Sequence, residues 1–245
     1  MTIPDPKRAS RIAALQKYGT ERISVVAGKH YFANKLGQVR PENTFANFEL
    51  YSPEQDPIVK RLQAIAQQLV TKPEILTDEF PFANGRILFL TSAPGFGKTH
   101  LAEAIINHVA ENKPEVLGKM VLSRGSFTSE HMTSANDYAG APIVVIDDIF
   151  SQAQSVAEMY PGDVIALMHF ITMLYERRMF AVITSNFRLM GDDGGILGRV
   201  AAVDKVQRVL SRFKQVLANS GEIVLPGKDF REELAKRQSG GEFVL

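Results

Sequence analysis

The chain has 245 residues, 45% of them apolar, a formal net charge of +1 and no cysteine. That composition fits a soluble globular protein of one large domain with a small appendage. It excludes disulfides and thiolate metal sites, and no apolar run approaches the roughly 20 residues a membrane-spanning helix needs. The five histidines show no ligand-like spacing, and the N-terminus lacks the apolar core of a secretion signal, so a cytoplasmic location is the expectation. Charge is unevenly spread. Residues 1–40 carry eight Lys/Arg against Asp5 and Glu21, which puts a basic stretch ahead of a mildly acidic remainder.

In chain order, PDPKRASRIAALQKYG reads as a short helix closed by Gly19, with Ile12, Leu15 and Tyr18 on one side. ISVVAG reads as a strand, and the stretch to residue 42 is rich in breakers. The boundary is placed there: 1–42 as a basic N-terminal extension, 43–245 as the main domain. In DPIVKRLQAIAQQLV, Asp56 suits an N-cap and Pro57 the first helical position, and Ile58, Leu62, Ile65 and Leu69 recur at helical spacing. Strands are expected at 86–91, 119–124, 141–147 and 179–185, with helices at 98–112, 162–178 and 206–217. Buried strands alternating with helices predict an α/β fold of three layers around a parallel sheet.

The stretch SAPGFGKT lies between a strand and a helix, the setting that makes a phosphate-binding loop. Gly95 and Gly97 allow the backbone to turn its N–H groups toward a polyphosphate, and the helix that follows adds its positive end. Lys98 then reaches the β- and γ-phosphates and the Thr99 hydroxyl holds Mg²⁺. Ser92 occupies the position where the usual pattern has glycine, and a small residue can make that turn. The expected nucleotide-contacting set is Ser92, Pro94, Gly95, Phe96, Gly97, Lys98, Thr99 and His100.

At the tip of APIVVIDD, Asp147 suits Mg²⁺ and Asp148 a general base, the alternative being a pair that caps the next turn. Asn186, after the strand VITS, either orients the lytic water or simply forms a turn. Arg208 and Arg212 share one helix face, as a trans-acting pair or as a solvated basic surface. Arg231, in the first turn of a terminal helix that begins near Asp229, works against the helix dipole unless an anion is bound. The basic N-terminal stretch leaves three readings open. Lys7, Arg8, Arg11 and Lys17 with Tyr31 and Phe32 suit nucleic acid; Ile12, Leu15 and Tyr18 suit a partner's groove; or the helix packs on the domain.

SAPGFGKTHLAEAI, VVIDDI, ITSNF, LSRF and GKDFR occur in the order found in AAA+ ATPases. Together with TFANFEL (44–50), they most resemble the bacterial and phage replicative helicase loaders (the DnaC/DnaI group) and the related transposition helper IstB. The resemblance covers about residues 43–237. It implies ATP and Mg²⁺, with Lys98 and Thr99 as Walker A, Asp147 and Asp148 as Walker B and Asn186 as sensor I. It further implies Arg212 as the finger acting on a neighbour's ATP (Arg208 being the fallback) and Arg231 as sensor II. Self-association through ATP interfaces, a replicative helicase hexamer and single-stranded DNA are the implied partners, with no membrane involved. An IstB-like helper is the near alternative; a small-molecule P-loop kinase and a non-hydrolysing nucleotide switch are remoter ones. Three features depart from the group, the first being a short N-terminal region without a recognisable helicase-docking pattern. The stretch 123–140 is too irregular for the group's extra helical element, and RLMGDDGGILGRVAAVDK before the finger is longer than usual.

Overall fold

The computed structural model describes residues 5, 7–19, 23–26, 29–33, 35–71, 87–124, 143–177, 179–205, 207–217, 221–227 and 229–230. Helix α1 (Arg8–Tyr18) leads into an antiparallel hairpin, β1 (Ile23–Val26) and β2 (Lys29–Ala33), and then into α2 (Gln55–Thr71). The main sheet contains β3 (Ile87–Thr91), β4 (Met120–Arg124), β5 (Ile143–Ile149), β6 (Phe180–Ser185) and β7 (Glu222–Val224). Its strand order is β4-β5-β6-β3-β7, parallel throughout. Helices α3 (Lys98–Asn112), α4 (Pro161–Arg177), α5 (Gly195–Val203) and α6 (Arg208–Leu217) cover it.

Side chains alternate across each strand, so the sheet feeds two cores. Leu88 and Leu90 face a cluster with α1, α2 and α3, whereas Ile87 and Phe89 face a cluster with α4, α5 and α6. Both faces are therefore buried, which is why these strands read as continuous apolar runs. The fold is the three-layer α/β arrangement expected from the sequence. No helix among the described residues is long and apolar enough to cross a membrane.

Several local expectations shift. The helix at α2 starts two residues early, at Gln55, so Asp56 lies in its first turn and its Oδ2 accepts from Lys60 Nζ at 2.7 Å instead of capping. Strand β5 runs to Ile149, two residues past its expected end, which places both aspartates inside it. The stretch 29–33 forms a second hairpin strand where breakers suggested none. The long segment before α6 contains α5, which begins at the second residue of a Gly194–Gly195 pair with positive φ angles of 83° and 56°. The terminal helix expected beyond residue 230 and the stretch 125–142 lie outside the described residues.

The N-terminal helix is built into the body. Leu15 and Ala14 belong to the α2/α3 core. Arg11 is only 2% exposed and donates from Nη1 to Glu111 Oε2 at 2.9 Å and from Nε to the Pro41 carbonyl at 3.0 Å, with Asp5 completing the group. Lys7 also pairs with Glu111. Leu15 is thus spent on the chain's own core, and two of the four basic side chains assigned to nucleic acid are engaged in ion pairs.

Candidate active site at the strand tips

Strand β3 delivers the chain into the loop 92–97, and α3 begins at Lys98. Gly95 and Gly97 have φ angles of 83° and 89°, a region where a Cβ is strained, so glycine is required at both. Neither position has room for a side chain. A Cβ on Gly97 would lie 2.6 Å from the Phe48 ring, and one on Gly95 would lie 1.9 Å from Asp229 Oδ1. Ser92 is buried, and its N–H points at the Ser185 carbonyl of β6, 3.4 Å away. The loop start is thereby tied to the tip of the neighbouring strand. Lys98 is 7% exposed, and its ammonium turns back on the loop, donating to the carbonyls of Ser92 (2.8 Å) and Ala93 (2.9 Å) and to Ser92 Oγ (3.2 Å).

The second half of the site is made by a bulge. Between Ile146 and Ile149 of β5 the register against β6 slips, since Ile146 pairs with Ile183 and Ile149 with Ser185. The extra residue re-aims the side chains around it. Asp148 takes a φ of 63°, a strained value for a residue with a Cβ and one that aspartate tolerates better than most. Thr184 of β6 holds this geometry. Its hydroxyl donates to Asp147 Oδ1 at 2.7 Å and accepts from the Asp148 N–H at 2.7 Å. Thr99 donates to the same Asp147 oxygen at 3.0 Å, and Asn186 Nδ2 donates to Asp148 Oδ1 at 3.1 Å. Residues from β3, α3, β5 and β6 therefore converge at the strand ends, where parallel sheets place their ligands.

The Asn186 loop is fastened from its far side by Glu222. That carboxylate accepts from Arg188 Nε at 2.7 Å, from the Leu189 N–H at 3.0 Å and from the Thr91 hydroxyl. Burial alone would raise the Glu222 pKa, but the bonds from Arg188, Thr91 and Leu189 outweigh it and hold the carboxyl below its ordinary range.

Beside the loop lies a cleft of about 330 Å³ lined by Phe48, Tyr51, Phe96, His100 and Phe230, among others. Phe48 meets His100 edge-on with centroids 5.3 Å apart, and Tyr51 lies 5.3 Å from Phe230. His100 Nε2 contacts the Thr44 carbonyl at 2.9 Å, and burial lowers its pKa. The stretch just before TFANFEL is held by Glu103 of α3, which is 1% exposed and takes hydrogen bonds from Asn43 and Arg40 and an ion pair from Arg124.

The arginines fall elsewhere. Arg212 lies on the opposite face of the sheet from α3, paired with Glu176 Oε1 of α4 at 3.4 Å and stacked 5.5 Å from the Tyr175 centroid. Arg208 is exposed, and Arg231 lies outside the described residues. Of the expected loop residues, Pro94 is exposed. Thr184, Phe48, Tyr51 and Asp229 were not singled out from the sequence. Only the polar ending of VITSNF hinted at Thr184.

Atoms suited to a magnesium nucleotide are present: a hydroxyl and a carboxylate oxygen together at the start of a helix, an ammonium, and a glycine-bearing loop. A family model described as RNA helicase matches residues 88–175, about a third of the chain. The chromosomal replication initiator protein DnaA of Latilactobacillus sakei subsp. sakei (strain 23K) is 28% identical over 159 residues, covering 60% of this chain and 31% of that protein. DnaA of Lacticaseibacillus casei (strain BL23) is 26% identical over 187 residues, covering 71% of this chain and 37% of that protein. The chain spans about a third of the length of these curated relatives. A solved structure of the DnaC helicase loader is similar at a TM-score of 0.44 and 16% identity, over 76% of this chain and 97% of that one.

Proposed function

We propose that this chain, a P-loop ATPase of the AAA+ type, uses ATP held between neighbouring copies to load a replicative helicase ring onto single-stranded DNA. The observation that carries the ATPase half is the single Asp147 oxygen that receives the hydroxyls of both Thr99 and Thr184. That junction ties the phosphate loop, the acidic strand and the Asn186 strand into one site. The loader half is supported by the order of the motifs and by the replication initiators among the relatives.

In this reading Thr99 and Asp147 would hold Mg²⁺, which would supply positive charge against the phosphates. Lys98 leaves the carbonyls of Ser92 and Ala93 for the β- and γ-phosphates. Asp148, its oxygen held by Asn186, takes the proton of the attacking water. The aromatic cleft beside the loop seats the base. Arg231 contacts the phosphates of its own subunit's ATP. Arg212, across the sheet from the loop of its own chain, reaches the γ-phosphate of the next copy, a contribution of about 10³–10⁵ in rate where such fingers have been measured.

The test is complementation. Lys98→Ala binds no nucleotide and Arg212→Ala binds it without turning it over, so each alone is inactive. Mixed, they form interfaces that carry an intact loop opposite an intact finger, and activity returns, rising with protein concentration and with single-stranded DNA. No recovery on mixing, together with a wild-type rate independent of concentration, would refute the trans assignment. Co-purification of the wild type with a helicase hexamer, as against a transposase, decides the partner.

A further inference from the structure

The space that a side chain at Gly95 would fill is taken by the Asp229 carboxylate, with Oδ1, Cγ and Oδ2 all within 2.6 Å of the Cβ position. An acidic group pressed against a loop built to receive anions is electrostatically unfavourable for that purpose. Its placement is not a matter of one loose side chain, because the whole segment is fastened. The Leu225 N–H donates to the Thr91 carbonyl at 2.9 Å, Gln55 Nε2 to the Pro226 carbonyl at 2.7 Å, and the Phe230 N–H to the Gly95 carbonyl at 3.1 Å. Gln55 is itself 1% exposed and accepts from the Tyr51 N–H at 2.9 Å. Gly227, at φ 130°, lets the chain pass close to it.

We propose that Asp229 sets the charge selectivity of the phosphate seat, favouring nucleotide already neutralised by a divalent cation over free nucleotide. The inference rests on reading residues 92–99 as that seat. Lys98 supplies the loop with positive charge, and Asp229, packed on Gly95 three positions before it, offsets part of that charge. A triphosphate entering without its cation meets a nearly neutral loop and a repelling carboxylate. The same triphosphate carrying Mg²⁺ has about half the negative charge and is repelled correspondingly less, because Coulomb energy scales with ligand charge. Asp229 is thus a specificity-determining residue, distinct from the Thr99 and Asp147 oxygens that would coordinate the cation.

The experiment measures ATP dissociation constants with Mg²⁺ and with chelator for wild type, Asp229→Asn, Asp229→Ser and Lys98→Ala. Both neutral variants of Asp229 tighten Mg-free ATP on the order of tenfold more than they tighten Mg-ATP, and the difference shrinks as salt rises. Thermal melts establish that the variants are folded. Equal factors with and without Mg²⁺, or weaker binding in both, would overturn the selectivity role and leave Asp229 as a packing residue. If wild type and Lys98→Ala bind ATP equally, the loop is not the seat and the site reading itself fails. If Lys98→Ala loses binding while the Asp229 variants match wild type, only the present inference falls.

Discussion

Thr184→Val is the substitution that probes the site most directly. It removes one hydroxyl and leaves the shape nearly unchanged. That hydroxyl makes two bonds of 2.7 Å, one to the Asp147 carboxylate and one from the Asp148 N–H, and Thr184 is 1% exposed. A hydrogen bond to a charged group contributes about 1.5–3 kcal/mol, and a buried N–H left without a partner costs about 1–3 kcal/mol. Water reaching Asp148 recovers part of this, so the net loss is about 3 kcal/mol. For a domain of this size each kcal/mol moves the melting temperature by roughly 2–4 °C, which predicts a drop of about 6–12 °C. Thr184→Ser keeps both bonds and loses only a methyl, at a cost of about 1 kcal/mol. Thermal denaturation of the three proteins followed by circular dichroism is the assay. If Thr184→Val melts within about 2 °C of wild type, or if Ser is the more damaging change, the hydroxyl does not organise the bulge and the argument fails.

Other outcomes follow from the same contacts. Leu15→Ala, at a position 4% exposed in the α2/α3 core, lowers stability by about 2–5 kcal/mol in urea titration; a detachable arm would leave the midpoint unmoved. Gly97→Ala and Gly221→Ala both impose a Cβ on a left-handed backbone, at about 1–2 kcal/mol each. Only the former meets a ring, Phe48 at 2.6 Å, so it alone weakens ATP binding in a titration. The depressed pKa of Glu222 gives a pH signature. Its stabilising contribution is complete above the ordinary glutamate value and is lost as pH falls through the lower folded value. Glu222→Gln, lacking that ionisation, shows a flatter acid limb in stability measured between about pH 5 and pH 2.

What the sequence revealed follows from the range of the interactions concerned. Strand β3, the loop and α3 lie within 26 consecutive residues, and their character is local: an apolar run, glycines where φ is positive, then an amphipathic stretch. Asp147, Asp148 and Asn186 were legible because acids and amides at the ends of apolar strands need partners. Thr184 was not, because a threonine in a strand is ordinary until the bulge in β5 gives its hydroxyl something to hold. Asp229 was read only as the start of a helix, since its contact with Gly95 spans more than a hundred residues of chain. The three readings of the basic N-terminal stretch could not be separated from sequence for a related reason. Counting charges does not show that Arg11 is buried between Asp5 and Glu111. The two-residue extension of β5 escaped notice because it opens with Asp148, which polarity alone assigns to a turn.

The posture of Lys98 bears on time as well as affinity. Its ammonium is held by three oxygens of the loop, two carbonyls and the Ser92 hydroxyl. In the proposed site a nucleotide would enter by displacement, since the lysine must let go of the strand exit before it can take hold of a phosphate. Glycine at position 92 would offer only the carbonyls. Serine adds a third tether, so the irregular first position of the motif steadies the empty loop, at a cost in affinity as well as in the rate of entry.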